Sequence, residues 1–293
     1  MINRVTNQGL MITAQRNLQQ SLSALAQKQN AAGTLVRINQ PSDDPAGTSD
    51  SLRVRSAQAA TSQFARNISD GNAWLTTVDT ALSTSTDIMS RVRDLTVQGA
   101  NDGAMSPLQK EAIAVELESL RAELLKTANT SYLGRSVFAG NSDAGVAFND
   151  DLTFTGTGSS VERRIGTDVA IRVDADGAAT FGVGDDSIFA LVDNIITDLR
   201  SGVNVGTRLT EIDTKVATIL GQQGAVGARQ AQVLKTQGAN VTESVSLEAQ
   251  RAEIEDLDLG QAIIDLKAQE LNYQAALSVT SRALQQTLMD FLR

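Results

Sequence analysis

Two adjacent carboxylates, Asp43 and Asp44, stand between Pro41 and Pro45 in the run RINQPSDDPAG, and a pair of acids can do general acid-base chemistry. Such work needs both groups to converge on one substrate. Neighbours in sequence flanked by prolines read instead as a turn followed by a helix cap, with Asp44 at the cap and Pro45 at the first helical position. A second acidic cluster, Glu255, Asp256 and Asp258, has the ligand types for a divalent cation. It reads better as a solvated helix start or as an interface partner for a basic N-terminal helix. The DADG run, Asp174 to Gly177, resembles a calcium-loop fragment but lacks the remaining ligand positions and the closing glutamate. A hairpin turn is the expectation there.

The 293 residues include no cysteine and no histidine. Disulfides, thiolate and imidazole metal sites, and Ser-His or Cys-His nucleophiles are therefore excluded. No nucleophile, metal cluster or phosphate loop stands out, so no cofactor, metal or catalytic residue is assigned and the chain is not read as an enzyme. A net charge of -9 with scattered Lys and Arg argues against a nucleic-acid partner. No stretch approaches the ~20 apolar residues of a membrane span, and the start lacks the apolar core of a secretory signal. Aromatics are only 3% of the chain, so burial is expected to rest on Leu, Ile, Val and Ala, which suits helix packing.

The elements follow from periodicity. Met11, Leu18, Leu22, Leu25, Ala32 and Val36 share one stripe of a first helix, which Pro41 is expected to end. A second helix runs from Pro45 to about Gln98, with Ile68, Leu75, Leu82 and Met89 at seven-residue spacing and Val78 and Val92 beside them. Ser106, Pro107 and Gln109 form a capping-box start for a third helix. Residues 138–186 are rich in Gly, Asp and Thr, and VAFND, LTFTG, VERRIG, VAIRVDADG and ATFGVG read as strands and turns of a small β-containing insertion. Ile188, Leu191, Val192, Ile195 and Leu199 mark a short amphipathic helix. From Thr207, Ile212, Ile219, Val226, Val233, Asn240, Leu247 and Ile254 repeat every seven residues, through the local weakening of Gly221, Gly224 and Gly227. Asn240 either fixes alignment or faces water. A last helix carries Ile264, Leu271, Leu277, Leu284, Leu288 and Phe291.

The two long helices have similar lengths and one apolar side each, so they should pair. The first and last helices should pair beyond them. Their charges agree: residues 1–42 hold four basic residues and no acidic one, while 251–293 hold seven acidic and four basic. The expected fold is mainly α, an elongated antiparallel helical rod with terminal coiled-coil helices and a small β-containing insertion. Its expected parts are a terminal helical domain (1–42 plus 256–293), a long-helix domain (43–137 plus 187–255) and the insertion (138–186). For Met11, Leu18, Leu22, Leu25, Ile264, Leu271, Leu277, Leu284, Leu288 and Phe291 an assembly interface is the expectation, because the chain supplies too few partners to enclose them.

RINQPSDDPAG and the later NISDGNAWLTTVDTALSTSTDIMSRVRDLTVQGAN resemble the N-terminal region of bacterial flagellins, and IEDLDLGQAIIDLKAQELNYQAALSVTSRALQQTLMDFLR resembles their C-terminal region. PSDDP, with YLGRSVFAGN after the third helix, resembles the hook-filament junction branch of that superfamily. The resemblance implies an extracellular structural subunit of the flagellum, exported without a cleavable signal through the flagellar type III apparatus. Implied partners are further copies of the chain in a ring or helical assembly, hook-associated protein 1, flagellin and an export chaperone, with no nucleic acid and no membrane insertion. A filament-forming flagellin is the nearest alternative; a coiled-coil adaptor or signalling protein is more distant and would lack the paired end signatures. Terminal helices with one apolar seam bury too little to offset chain entropy alone. Limited proteolysis of the purified monomer is expected to remove about the first 40 and last 35 residues; ends as resistant as the centre would contradict this.

Overall fold

The computed structural model describes the backbone of residues 2–101, 105–156 and 159–291, and the side chains along it except those of residues 2–8, 10 and 283–291. Helices dominate these residues: α1 (Ile2–Thr34), α2 (Pro45–Gly99), α3 (Pro107–Ala128), α4 (Gly177–Phe181), α5 (Ile188–Ser201), α6 (Leu209–Glu255) and α7 (Leu259–Phe291). Two small antiparallel ladders, β1 (Ser131–Tyr132) with β2 (Arg135–Ser136) and β3 (Glu162–Arg164) with β4 (Ala170–Arg172), and two short 3-10 turns at Gly184–Asp186 and Val205–Arg208 complete the described elements. The chain is thus mainly α with a small β-containing insertion. It divides into two compact units, a terminal one of Met1–Ala59 with Ser244–Arg293 and a central one of Ala60–Glu243.

In the central unit α2 buries Ile68, Leu75, Val78, Leu82, Met89 and Val92, and α6 buries Ile212, Ile219, Val226 and Val233. Both heptad registers are therefore core. Polar pairs beside the seam give the direction: Arg93 to Asp213 at 2.7 Å, Gln223 to Asp79 at 3.1 Å and Gln230 to Thr76 at 3.2 Å. Numbers rise on α6 as they fall on α2, so the pairing is antiparallel. Asn240 donates from Nδ2 to the Thr61 carbonyl at 3.0 Å. The one polar residue of the register is thus bonded to the partner helix rather than turned to water. Helix α6 runs unbroken through Gly221, Gly224 and Gly227.

Helix α3 begins at the expected capping box, with Ser106 and Gln109 bonding reciprocally. It packs on α5, joined by Arg121–Asp193 and by Arg200 to Glu111 and Glu118. Helix α5 buries Phe189 and Ile196 as well as its predicted stripe. Here the expectation of an aliphatic core is incomplete. Phe138, Phe148, Phe154, Phe181 and Phe189 meet in one cluster with ring centroids 5.0–6.1 Å apart. A low overall aromatic content conceals this concentration around the insertion.

Other local expectations also change. ATFGVG is not a strand: Gly177–Phe181 is helical, capped by Asp176, whose Oδ1 accepts from the Ala179 N–H. DADG is accordingly no hairpin turn. Asp174 is fully buried and accepts from the Val161 N–H and from Arg172, closing the β3–β4 unit from within. The first helix stops at Thr34 rather than near Pro41, so Val36 leaves the helical stripe and forms an isolated bridge with Asp256. The Thr34 hydroxyl bonds back to the carbonyls of Asn30 and Ala31, and Leu35 adopts φ 58°, the left-handed stop of a helix.

YLGRSVFAGN has a local physical meaning. Leu133 (φ 50°) and Gly134 (φ 79°) fit the two positive positions of a type I′ turn between β1 and β2. Gly140 (φ 61°) lies where any Cβ would collide with the Ser159 carbonyl. Arg163, paired with Asp70 at 2.6 Å, stacks over Trp74, which ties β3 to α2.

Leu82 is fully buried midway along the α2 seam. Leu82→Ala is expected to cost about 2–5 kcal/mol, read as a lower urea midpoint with an unchanged slope. A loss below about 1 kcal/mol would show that the seam is not the central core.

Candidate functional site

The terminal unit brings α1 and α7 together, as the complementary charges suggest. Lys28 Nζ meets Asp265 Oδ2 at 2.8 Å, and Gln269 donates to the Ser21 carbonyl at 3.2 Å. The Lys28 ammonium, with Gln261, holds the Asp265 carboxyl below its ordinary range. The contact buries little. Among the described side chains of the two helices only Leu25 and Ala262 are buried. Leu18 is half-buried, while Met11, Leu22 (50% exposed), Ile264, Leu271 (68% exposed) and Leu277 face outward. Ile12, Leu259, Ile263 and Val279 are likewise exposed. These four lie off the stripes that seven-residue counting picks out, so only the folded pair shows how wide the apolar surface is. The side chains of Leu284, Leu288 and Phe291 lie outside the described residues.

The turn between α1 and α2 has defined roles for its residues. Asp43 Oδ2 accepts from the N–H groups of Asn39 and Gln40 at 3.1 and 2.8 Å, folding the chain back around Pro41. Asp44 Oδ1 accepts from the Gly47 N–H at 2.9 Å, capping α2 at Pro45. The two carboxylates thus serve separate backbone groups. Neither is directed at a shared substrate position.

Glu255 behaves differently from every expectation for its cluster. It ends α6, is only 3% exposed, and accepts from Arg55 Nε at 2.6 Å and Nη2 at 2.7 Å, from Ser51 Oγ and from Arg251 Nη1 at 3.3 Å. Its side chain is neither a solvated helix start nor a partner of the basic helix α1, because its guanidinium partners come from α2 and α6. Asp256 pairs with Arg251, and Asp258 accepts from the Gly260 and Gln261 N–H groups at the start of α7. The three acids therefore do not converge as metal ligands. Beside them Arg37 donates its N–H to the Glu255 carbonyl at 2.7 Å and its guanidinium to the Ile254 carbonyl, and the Leu257 N–H bonds to the Leu35 carbonyl at 3.1 Å. These bonds satisfy the carbonyls left by two helix ends and hold Leu35 in its strained conformation. A bidentate Arg–carboxylate pair needs a buried acid and an arginine two hundred residues apart, so sequence alone offers no signal for it.

The terminal unit thus combines an exposed apolar surface on α1 and α7 with a polar clamp around Glu255. Residues 5–143 match the bacterial flagellin N-terminal helical region, and residues 209–292 match the bacterial flagellin C-terminal helical region. The flagellar filament 33 kDa core protein of Treponema phagedenis is 26% identical over 293 residues, 96% of each chain. Against Vibrio flagellins of 34–35% identity the chain spans only about a third of their length. Among solved structures, FlgL of Bacillus cereus is 21% identical with a TM-score of 0.60, covering 68% of this chain and 99% of that one. The flagellar junction protein FlgL from Legionella pneumophila is 16% identical with a TM-score of 0.58, covering 71% and 100%. At such identities the likeness establishes the fold.

The clamp gives a pH signature. Arg55 foremost, then Ser51 and Arg251, pull the Glu255 carboxyl down from 4.5 to about 2 against the opposing effect of burial. A depressed folded value means the contribution is complete above about pH 4.5 and lost as pH falls towards 2. With Arg55 largely exposed, its size is about 1–3 kcal/mol. Arg55→Met is expected to destabilise the terminal unit by that amount at neutral pH and to flatten acid unfolding between pH 5 and 2, followed by circular dichroism. An unchanged acid profile in the variant would remove the clamp from the account.

Proposed function

The chain belongs to the bacterial flagellin family and is a structural protein of the flagellum, and we propose that within this family it is a junction subunit of the hook-associated protein 3 type. In that role it joins the hook, through hook-associated protein 1, to the flagellin filament. The observation that carries the assembly part is the unpartnered apolar surface of α1 and α7, where Leu22, Ile264 and Leu271 stay exposed in the single chain. Neighbouring copies would cover it, supplying burial that one molecule cannot. The junction part is supported by the PSDDP turn, by the YLGRSVFAGN segment, and by the fold shared with solved junction proteins.

On this reading residues 1–42 and 256–293 form the assembly domain, with Met11, Leu18, Leu22, Leu25, Ile264, Leu271, Leu277, Leu284, Leu288 and Phe291 at its interface. Pro41, Asp43, Asp44 and Pro45 make the turn leading to the long helices of 43–137 and 187–255, and 138–186 is the insertion. No described helix is long and apolar enough to cross a membrane. The chain would reach the cell exterior through the flagellar type III apparatus with an export chaperone. The absence of cysteine suits such threading, since no cross-link has to be opened.

A second reading, a filament-forming subunit, is favoured by the end-to-end match with the Treponema core protein. Electron microscopy of cells lacking the protein separates the two. The junction role gives hooks without filaments and unpolymerised flagellin in the medium. Intact filaments overturn it; loss of filaments with no flagellin in the medium supports the filament reading.

A further inference from the structure

The turn that follows α1 and the turn that precedes α7 meet in a short antiparallel ladder. Arg37 donates its N–H to the Glu255 carbonyl at 2.7 Å, the Leu257 N–H donates to the Leu35 carbonyl at 3.1 Å, and Val36 and Asp256 form the bridge between these bonds. The Arg37 guanidinium adds a bond to the Ile254 carbonyl at 2.8 Å, across 217 positions of sequence. Neither turn can keep these bonds if the other moves away.

Apolar burial does not hold this crossing. Leu35 is 51% exposed, and among residues 34–50 and 252–261 Glu255 and Ala262's neighbours differ sharply: in those two ranges Glu255 is the one buried residue. Backbone bonds that water can replace add little by themselves. The anchor is the Glu255 carboxylate, which accepts from Arg55 at 2.6 and 2.7 Å, from Ser51, and from Arg251 at 3.3 Å. One residue therefore carries both parts: its carbonyl belongs to the ladder and its carboxylate to the charged pocket. Directional bonds of this kind weaken steeply once their geometry is lost. Leu35, a bulky residue at φ 58°, loses the bond that holds it there when Leu257 departs.

We propose that Glu255 is a latch that couples the two ends of the chain, so that the α1 turn and the α7 turn open and close in one step while the central unit stays folded. A closed latch orients both terminal helices, and an open one frees both, so a contact that orders one helix is felt at the other. The coupling is a property of the single chain and does not depend on whether that chain sits at a junction or in a filament.

Hydrogen exchange of the full-length monomer at constant neutral pH, resolved to single amides, tests it. Glu255→Gln is expected to speed exchange at Arg37 and at Leu257 by about tenfold or more, and by the same factor at both. The amides of Leu82 and Ile219 in the central seam keep their rates. Arg55→Met, which leaves the carboxylate but removes its bidentate partner, gives the same pattern at smaller amplitude, so a Glu255→Gln chain that does not fold leaves the test standing. Asp43→Ala breaks bonds inside one turn only, and is expected to speed Asn39 and Gln40 without reaching Leu257. The proposal is overturned if Leu257 accelerates while Arg37 does not, if neither changes in both clamp variants, if the central seam accelerates equally, or if Asp43→Ala opens Leu257 as strongly. Failure of the junction reading in cells leaves this result untouched.

Discussion

Each long helix carries one apolar stripe that repeats every seven residues, and the need to cover both stripes organises the central unit. Ile68, Leu75, Leu82 and Met89 on α2 need a surface of similar length, and the register Ile212 to Val233 on α6 supplies it. Both stripes repeat every seven residues, so packing of knobs into holes can continue along the pair. The side-chain pairs Arg93–Asp213, Gln223–Asp79 and Gln230–Thr76 then favour one alignment, because a shift of one heptad would break all three. The remaining buried side of α2 takes the aromatic part of the molecule, with Trp74 against Tyr132 and beneath Arg163.

In the terminal unit polar contacts matter as much as apolar ones. The carbonyls of Ile254, Glu255 and Leu35 are satisfied by Arg37 and Leu257, and the Glu255 side chain is satisfied by Arg55, Ser51 and Arg251. A buried carboxylate without those partners would be strongly unfavourable. The clamp therefore fixes the point at which α1 and α7 leave the long helices, although these two helices bury almost nothing themselves. Order at their base and exposure along their length suit a segment completed by its neighbours.

Helix-rule violations and uncovered surfaces coincide. Glycines at Gly224, Gly227 and Gly238 weaken α6 at exposed positions where an added Cβ would meet nothing among the described residues, and the terminal helices display Leu22 and Leu271 to solvent. In a protein that worked alone both features would be faults. In an assembling subunit, local stability is given up where the partner surface restores it.

Helical period, caps and turns are local, and they were legible in the residues: the α2 and α6 registers, the capping box at Ser106 and the Asp44 cap all follow from spacing within a few turns, while the charge complementarity of the two ends follows from their composition. The family match rests on the same kind of linear pattern. What the sequence could not determine depends on residues far apart. Val36 leaves the first helix to form a bridge with Asp256 near the other end of the chain, and the role of Glu255 required Arg55 two hundred positions away. Periodicity reports which side of a helix is apolar, but only tertiary packing decides whether that side is covered, because burial is a property of what comes near.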